Sequence, residues 1–246
     1  MKADPDAQRR LLELQAIDTA LAQLAHRRRT LPELAQVDRL AREISAMDDE
    51  RVRAQVAVDD LDRDIARMER DVEQVRTRKD KDEARLTVGS GPARELEALQ
   101  HELVSLQRRQ TELEDAELEL MEQREQAQSV LDETLARLAT ARTQRTEVEA
   151  RRDRILGEIT KDEEFRTAGR GPLAADLPAD LIELYERIRE HTGGVGAALL
   201  RAGRCEGCRL ELSGSERARV KNSAPDEVVR CEECRRILVR TAESGL

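Results

Sequence analysis

Residues 37–75 read VDRLAREISAMDDERVRAQVAVDDLDRDIARMERDVEQV. Within them Val37, Leu40, Ile44, Met47, Arg51, Ala54, Val58, Leu61, Ile65, Met68, Val72 and Val75 fall alternately three and four residues apart. That spacing draws one apolar line along a helix, a heptad seam in which only Arg51 and Ala54 are weak members.

The line stops at Thr87-Val88-Gly89-Ser90-Gly91-Pro92, where Gly89 suits a left-handed helix end and Pro92 a new first turn. A second seam follows. Leu99, Leu106, Leu113, Leu120, Ala127, Thr134, Ala141, Val148 and Ile155 mark one heptad position, and Leu96, Leu103, Gln110, Glu117, Arg124, Leu131, Leu138, Arg145, Arg152 and Ile159 mark the other. Two seams joined by a short loop predict an antiparallel hairpin. Residue i of one arm is then expected to face roughly residue 179 − i of the other. Arg51 falls within a turn or two of Glu117 and Arg124, polar groups that either fix the register or reach solvent from a thin core.

Before the first seam, Asp4-Pro5 reads as a helix cap and first residue, and Leu11, Leu14, Ile17, Leu21 and Leu24 follow at helical spacing. Pro32 predicts a break after Arg27-Arg28-Arg29. The expected helices are therefore about 5–30, 33–86 and 93–163, in a hairpin domain over 1–165. Residues 166–194, with Gly169, Gly171 and Pro172, read as a linker followed by a short amphipathic helix. That helix opens at Pro178, carries Leu181, Leu184, Tyr185 and Ile188 on one face, and is expected to pack with Tyr185 in the contact.

Composition agrees with this architecture. Charged residues make up 39% of the 246, and the aromatics are Phe165 and Tyr185 alone. So few aromatics disfavour a Rossmann fold, a barrel or a sandwich. The charge of −9 disfavours a general polyanion binder. No export signal or membrane-spanning run is visible, which predicts a cytoplasmic protein.

The chemistry concentrates after residue 195. Cys205-Glu206-Gly207-Cys208 and Cys231-Glu232-Glu233-Cys234 are two C-x-x-C knuckles, and four thiolates complete the tetrahedral set that suits zinc. Short strands are expected at Ala197–Ala202, Leu210–Leu212, Glu227–Arg230 and Arg236–Arg240. A domain this small needs one structural Zn2+ to fold, and a closed site leaves no position for activated water. No βαβ pattern supports a redox dithiol. His26, His101 and His191 are scattered, and no phosphate loop is present, so no catalytic residue is assigned and the protein is read as no enzyme.

The segment from residue 195 holds ten Lys and Arg against eight Asp and Glu. Arg217, Arg219, Lys221, Arg235, Arg236 and Arg240 are the candidate phosphate contacts, and without an aromatic any nucleic-acid binding there is backbone-led. The rival reading is a charged surface around a zinc staple. Near the hairpin turn Arg76, Arg78, Lys79, Lys81 and Arg85 interleave with acids, a pattern usual for a solvated face and also compatible with tip binding.

Two stretches carry a resemblance. Residues 93–102, ARELEALQHE, and the span from Gly203-Arg204-Cys205 to Arg236-Ile237-Leu238 are similar to the bacterial C4-type zinc-ribbon family in which a coiled-coil hairpin precedes the ribbon. The resemblance implies a mainly α fold with a small β ribbon, zinc on Cys205, Cys208, Cys231 and Cys234, and nucleic-acid binding or contact with transcription proteins. One branch of the family is tied to flagellar gene regulation, which the departures here argue against transferring. Arg235 stands where the family often has glycine, which implies strain at positive φ, and Val239 where an aromatic is common. The expected function is a zinc adaptor that binds RNA, DNA or a nucleic-acid-handling protein. The alternative is a chaperone or scaffold that grips a protein through the coiled coil. No membrane or small-molecule substrate is expected.

Overall fold

The structure, a computed structural model, describes residues 1–246. Three long helices come first: α1 (Pro5–Arg29), α2 (Pro32–Val88) and α3 (Ala93–Ala175). A shorter α4 (Ala179–His191) precedes the strands β1 (Ala197–Arg201) and β2 (Arg204–Cys205). Then come α5 (Gly214–Asn222), β3 (Val229–Arg230), β4 (Ile237–Val239) and a closing 3-10 turn at Ala242–Ser244. The chain groups into two compact units, one of Met1–Leu34 with Ala150–Leu246, the other of Ala35–Glu149. This division differs from the expected boundaries at 165 and 195. No helix is long and apolar enough to cross a membrane.

In the Ala35–Glu149 unit, the seam of α2 meets the seam of α3. Leu40, Ile44, Val58 and Val72 are buried from one side, Leu113, Leu131, Leu138, Ala141 and Val148 from the other. Ile44, Leu138 and Ala141 form one buried cluster, with Met47 packed against it. Ion pairs cross between the two helices along the seam: Arg142 to Asp48 at 2.9 Å, Arg137 to Glu50 at 2.6 Å, Arg124 to Asp62 at 2.9 Å and Arg78 to Glu102 at 2.7 Å. The partners lie farther along α3 than the sequence-based register places them. Side chains lean toward the N-terminus of their own helix, so an α3 residue reaches a partner nearer the turn than its own Cα. Arg51 accordingly does not face Glu117 or Arg124; it bonds Asp48 one turn back on its own helix at 3.2 Å and stays partly exposed. The reading in which these stems reach solvent is the one the structure adopts.

In the other unit, Asp4 caps α1 by accepting from the Asp6 amide at 2.8 Å, and the break before Pro32 is present. The expected linker is instead helix: α3 runs through Gly169, Gly171 and Pro172 to Ala175. Tertiary contacts overrule the glycine and proline signals here. Arg170 reaches Asp18 of α1 at 2.6 Å and also bonds Glu186 of α4, while Leu173, Ala174 and Leu177 enter the core. That core joins Leu11 and Leu14 of α1, Leu181, Tyr185 and Ile188 of α4, and Ala197, Ile237 and Val239 of the sheet. Tyr185 is fully buried, as its place on the apolar face predicts, and its hydroxyl donates to Asp18 at 2.7 Å.

The sheet has the order β2-β1-β4-β3. β1 and β4 run parallel with Ala197 opposite Ile237 and Leu199 opposite Val239, while β1–β2 and β3–β4 are antiparallel. Because side chains alternate across a strand, Ala197, Ile237 and Val239 face the helices and Ala198, Leu200 and Leu238 face the cysteines. Both faces are covered, which is why these strands read as unbroken apolar runs. The N-terminal residues extend the sheet: the Ala3 amide donates to Asp226 O at 2.7 Å and the Val228 amide to Met1 O at 3.1 Å.

Candidate metal centre

The two knuckles are built alike. In the first, the Arg209 amide donates to Cys205 O at 2.7 Å and the Cys205 amide to Leu210 O at 2.9 Å. In the second, the Arg235 amide donates to Cys231 O at 2.9 Å and the Cys231 amide to Arg236 O at 3.0 Å. Each turn aims two sulfurs inward, and all four Sγ atoms lie within 4.8 Å of one another. Cys205 and Cys234 are 3.8 Å apart, and Cys208 and Cys231 3.9 Å. A tetrahedron with Zn–S bonds of about 2.3 Å has edges of about 3.8 Å, so the donor set fits one zinc ion. Zinc here is a structural staple, and four protein ligands close its coordination sphere.

Burial pushes the Cys205 thiol above its ordinary range and that of Cys231 up to about 11. Burial acts the same way on Cys234, but the main-chain and guanidinium N–H groups of Arg236 outweigh it and bring the thiol below the ordinary value. Ligation by the buried pair at neutral pH therefore releases protons, and zinc supplies the stabilisation that burial denies the thiolates.

The surroundings of the thiols hold features that the cysteines alone do not signal. Arg209 and Arg235, the residues after the second cysteine of each knuckle, both have φ of 62°. The strain expected at Arg235 is thus present twice, and the spacing of Arg209 could have shown it. The Glu216 carboxylate is buried and accepts from the Glu232 amide at 2.8 Å, so it holds the second knuckle from α5. α5 itself was signalled by Ser213-Gly214-Ser215-Glu216, a capping-box pattern, and Ser213 Oγ does accept from the Glu216 amide at 3.1 Å. The expected strand at Leu210–Leu212 is only a single bridge from Glu211 to Arg204, since α5 starts immediately after it. Gly207 is required by close approach: a Cβ there would meet Arg236 Cδ at 2.6 Å.

The six basic candidates are scattered by these contacts. Arg236 donates to three carbonyls, Thr192 at 2.7 Å, Val195 at 3.0 Å and Gly207 at 3.2 Å, tying the first knuckle to the end of α4. Arg240 is spent on the chain between α5 and β3, donating to Ser223 O at 2.9 Å, Ala224 O at 2.7 Å and Glu227 O at 2.8 Å. Arg217 pairs with Glu211 and Arg219 with Glu232, each at 3.2 Å. Lys221 and Arg235 alone of the six are exposed with side chains that make no such bond. His26, His101 and His191 are exposed on the helices, and none belongs to the four-cysteine group.

A four-thiolate ribbon preceded by a coiled-coil hairpin defines a zinc-ribbon hairpin protein. The CT398-like coiled coil hairpin domain matches residues 14–193 and the C4-type zinc ribbon domain matches residues 204–238. The chain belongs to this CT398-like family. It is 40% identical over 240 residues to the uncharacterized protein MT2288 of Mycobacterium tuberculosis, covering 98% of both chains. Identity with the uncharacterized protein ML1638 of Mycobacterium leprae is 30% over 217 residues, 88% of this chain and 93% of that one. A solved structure from Mycobacterium smegmatis superposes with a TM-score of 0.84 at 38% identity, over 98% of this chain and 100% of that one. CT398 from Chlamydia trachomatis shares the fold at a TM-score of 0.65 and 18% identity, over 95% and 97% of the two chains.

Proposed function

We propose that this protein is a non-enzymatic adaptor of the bacterial cytoplasm that binds a protein partner, with zinc as a structural staple. The observation that carries this reading is the fate of the ribbon's arginines. Arg236 and Arg240 are consumed by backbone carbonyls, and Arg217 and Arg219 are paired with glutamates. A phosphate-binding face needs several free cations on one surface, and these four do not contribute to one. The closed thiolate site supports a non-catalytic role, and the scattered histidines supply no acid–base pair.

Nucleic-acid binding by the ribbon is the second reading. What favours it is the exposure of Arg204, Arg209, Lys221 and Arg235, none of which has an ion-pair partner in the chain. Fluorescence anisotropy of labelled RNA and duplex DNA against the zinc-loaded protein separates the two. No binding at low salt is expected. Binding that falls steeply with salt and is lost in Arg209→Gly/Arg235→Gly would replace the protein-adaptor reading with the nucleic-acid one. Glycine suits the backbone of both positions, so that variant removes charge without disturbing the knuckles.

A further inference from the structure

The seam of the hairpin is unbalanced near its turn. Continuing the α2 heptad past Val75 gives Lys79 and Asp82, where apolar residues are expected, while α3 still offers Leu96, Leu99, Leu103 and Leu106. These four leucines are only half-buried, whereas Leu113, Leu131 and Leu138 farther along are buried. The helix ends therefore leave an apolar cleft of about 350 Å³, floored by Ala84, Val88, Leu96 and Leu99. Val88 is 73% exposed.

A longer groove adjoins this cleft and shares Lys81 and Arg85 with it. Arg70, Arg78, Lys81 and Arg85 line it from α2. Arg78 is tied to Glu102 at 2.7 Å and Arg85 leans on Asp82 at 3.8 Å, but Arg70 and Lys81 have no ion-pair partner. The basic row thus keeps uncompensated positive charge beside an apolar floor. From Arg70 to Arg85 it extends about 22 Å, the length of a helix of about four turns.

We infer that the hairpin tip is a docking groove for an acidic amphipathic helix of a partner protein. Its leucine-type side chains, three and four residues apart, enter the cleft, and its Glu or Asp side chains meet Arg70, Lys81 and Arg85. A polynucleotide fits less well, because a phosphate chain leaves the aliphatic floor of Ala84, Val88, Leu96 and Leu99 uncovered. The inference rests on the protein-adaptor reading and adds the site and the chemistry of the partner.

The test uses the full-length zinc-loaded protein and a labelled amphipathic peptide of about four turns with leucines on one face and glutamates elsewhere. Its twin carries lysine for each glutamate. The glutamate peptide is expected to bind and the lysine twin not to. Lys81→Glu/Arg85→Glu should weaken the glutamate peptide about tenfold at low salt and admit the lysine twin, since reversing complementary charges reverses partner choice. Val88→Asp should weaken binding at every salt concentration. Both variants change exposed positions off the seam, and unchanged helical circular dichroism verifies their folding. Equal binding of the two peptides, indifference to both variants, or no binding by a protein of native helicity would each overturn the tip assignment. So would self-association that Val88→Asp abolishes, which would make a second copy the occupant. Polynucleotide binding by the ribbon, measured separately, tests the adaptor reading, so the two failures are distinguishable.

Discussion

The two units of this chain are held together in opposite ways. In Ala35–Glu149 the contacts repeat: a narrow apolar seam flanked by exposed ion pairs, each roughly equivalent to the next. In the unit of Met1–Leu34 and Ala150–Leu246 they converge. One buried cluster links Gln15, Asp18, Arg170, Tyr185 and Glu186, and one thiolate centre closes the ribbon. Repetition spreads stability thinly and tolerates loss at any one place. Convergence makes a few groups indispensable.

Cys231→Ser should give the largest effect. Structural zinc contributes about 10 kcal/mol or more to folding in small ribbons, so this variant should lose both metal and ribbon. Because Ala197, Ile237 and Val239 share a core with Leu11, Leu14 and Tyr185, α1 and α4 should lose protection with it. Hydrogen exchange read by mass spectrometry should show fast exchange there and unchanged protection over 35–149. Uniform loss across the chain would erase the distinction between the units.

Asp18→Asn comes next. Its carboxylate is buried, yet hydrogen bonds from Arg170 and Tyr185 and the charges of Arg170 and Arg189 outweigh desolvation and hold it below its ordinary pKa. Removing one partner of such a buried pair costs about 3 kcal/mol, measurable by urea unfolding. A depressed folded pKa also fixes the pH dependence. The contribution is complete above about pH 4 and is lost as the pH falls through the lower folded value. The variant should lack that portion of the acid transition.

Arg235→Gly should act in the other direction, raising ribbon stability by about 1 kcal/mol through relief of the left-handed strain. Zinc retention against a chelator should improve in parallel. Smallest of all, Arg142→Ala breaks the exposed pair with Asp48 and should leave the thermal midpoint within measurement scatter. A large shift there would mean that the repeated unit has an indispensable member after all.

How much of this could be read beforehand follows from the same contrast. Periodic contacts are written locally, so the seams at 37–75 and from Leu96 onward, the turn at Gly89 and the break before Pro32 were legible. The thiolate set was legible because two C-x-x-C knuckles have few other uses. Convergent contacts join residues far apart in sequence. Nothing near Gly169 or Pro172 announces that Arg170 will find Asp18 and keep the segment helical. Nothing in Arg236 or Arg240 distinguishes a cation for phosphate from one that closes three or more carbonyls. Helix α5 was readable from Ser213 and Glu216 but masked by the expectation of strands around zinc.

The pairing of residues 1–3 with 226–228 also sets an order of events during synthesis. A chain emerging from the ribosome can complete the hairpin between Ala35 and Glu149 while residues 1–3 still lack their partner. Residues 1–3 cannot be fastened until residues 226–228 have been translated. The Ala35–Glu149 unit can therefore fold before residues 1–3 and 226–228 meet. Until the second knuckle appears, Leu11 and Leu14 stay without the strands that bury them, and in that interval their apolar surface is open to proteases and chaperones.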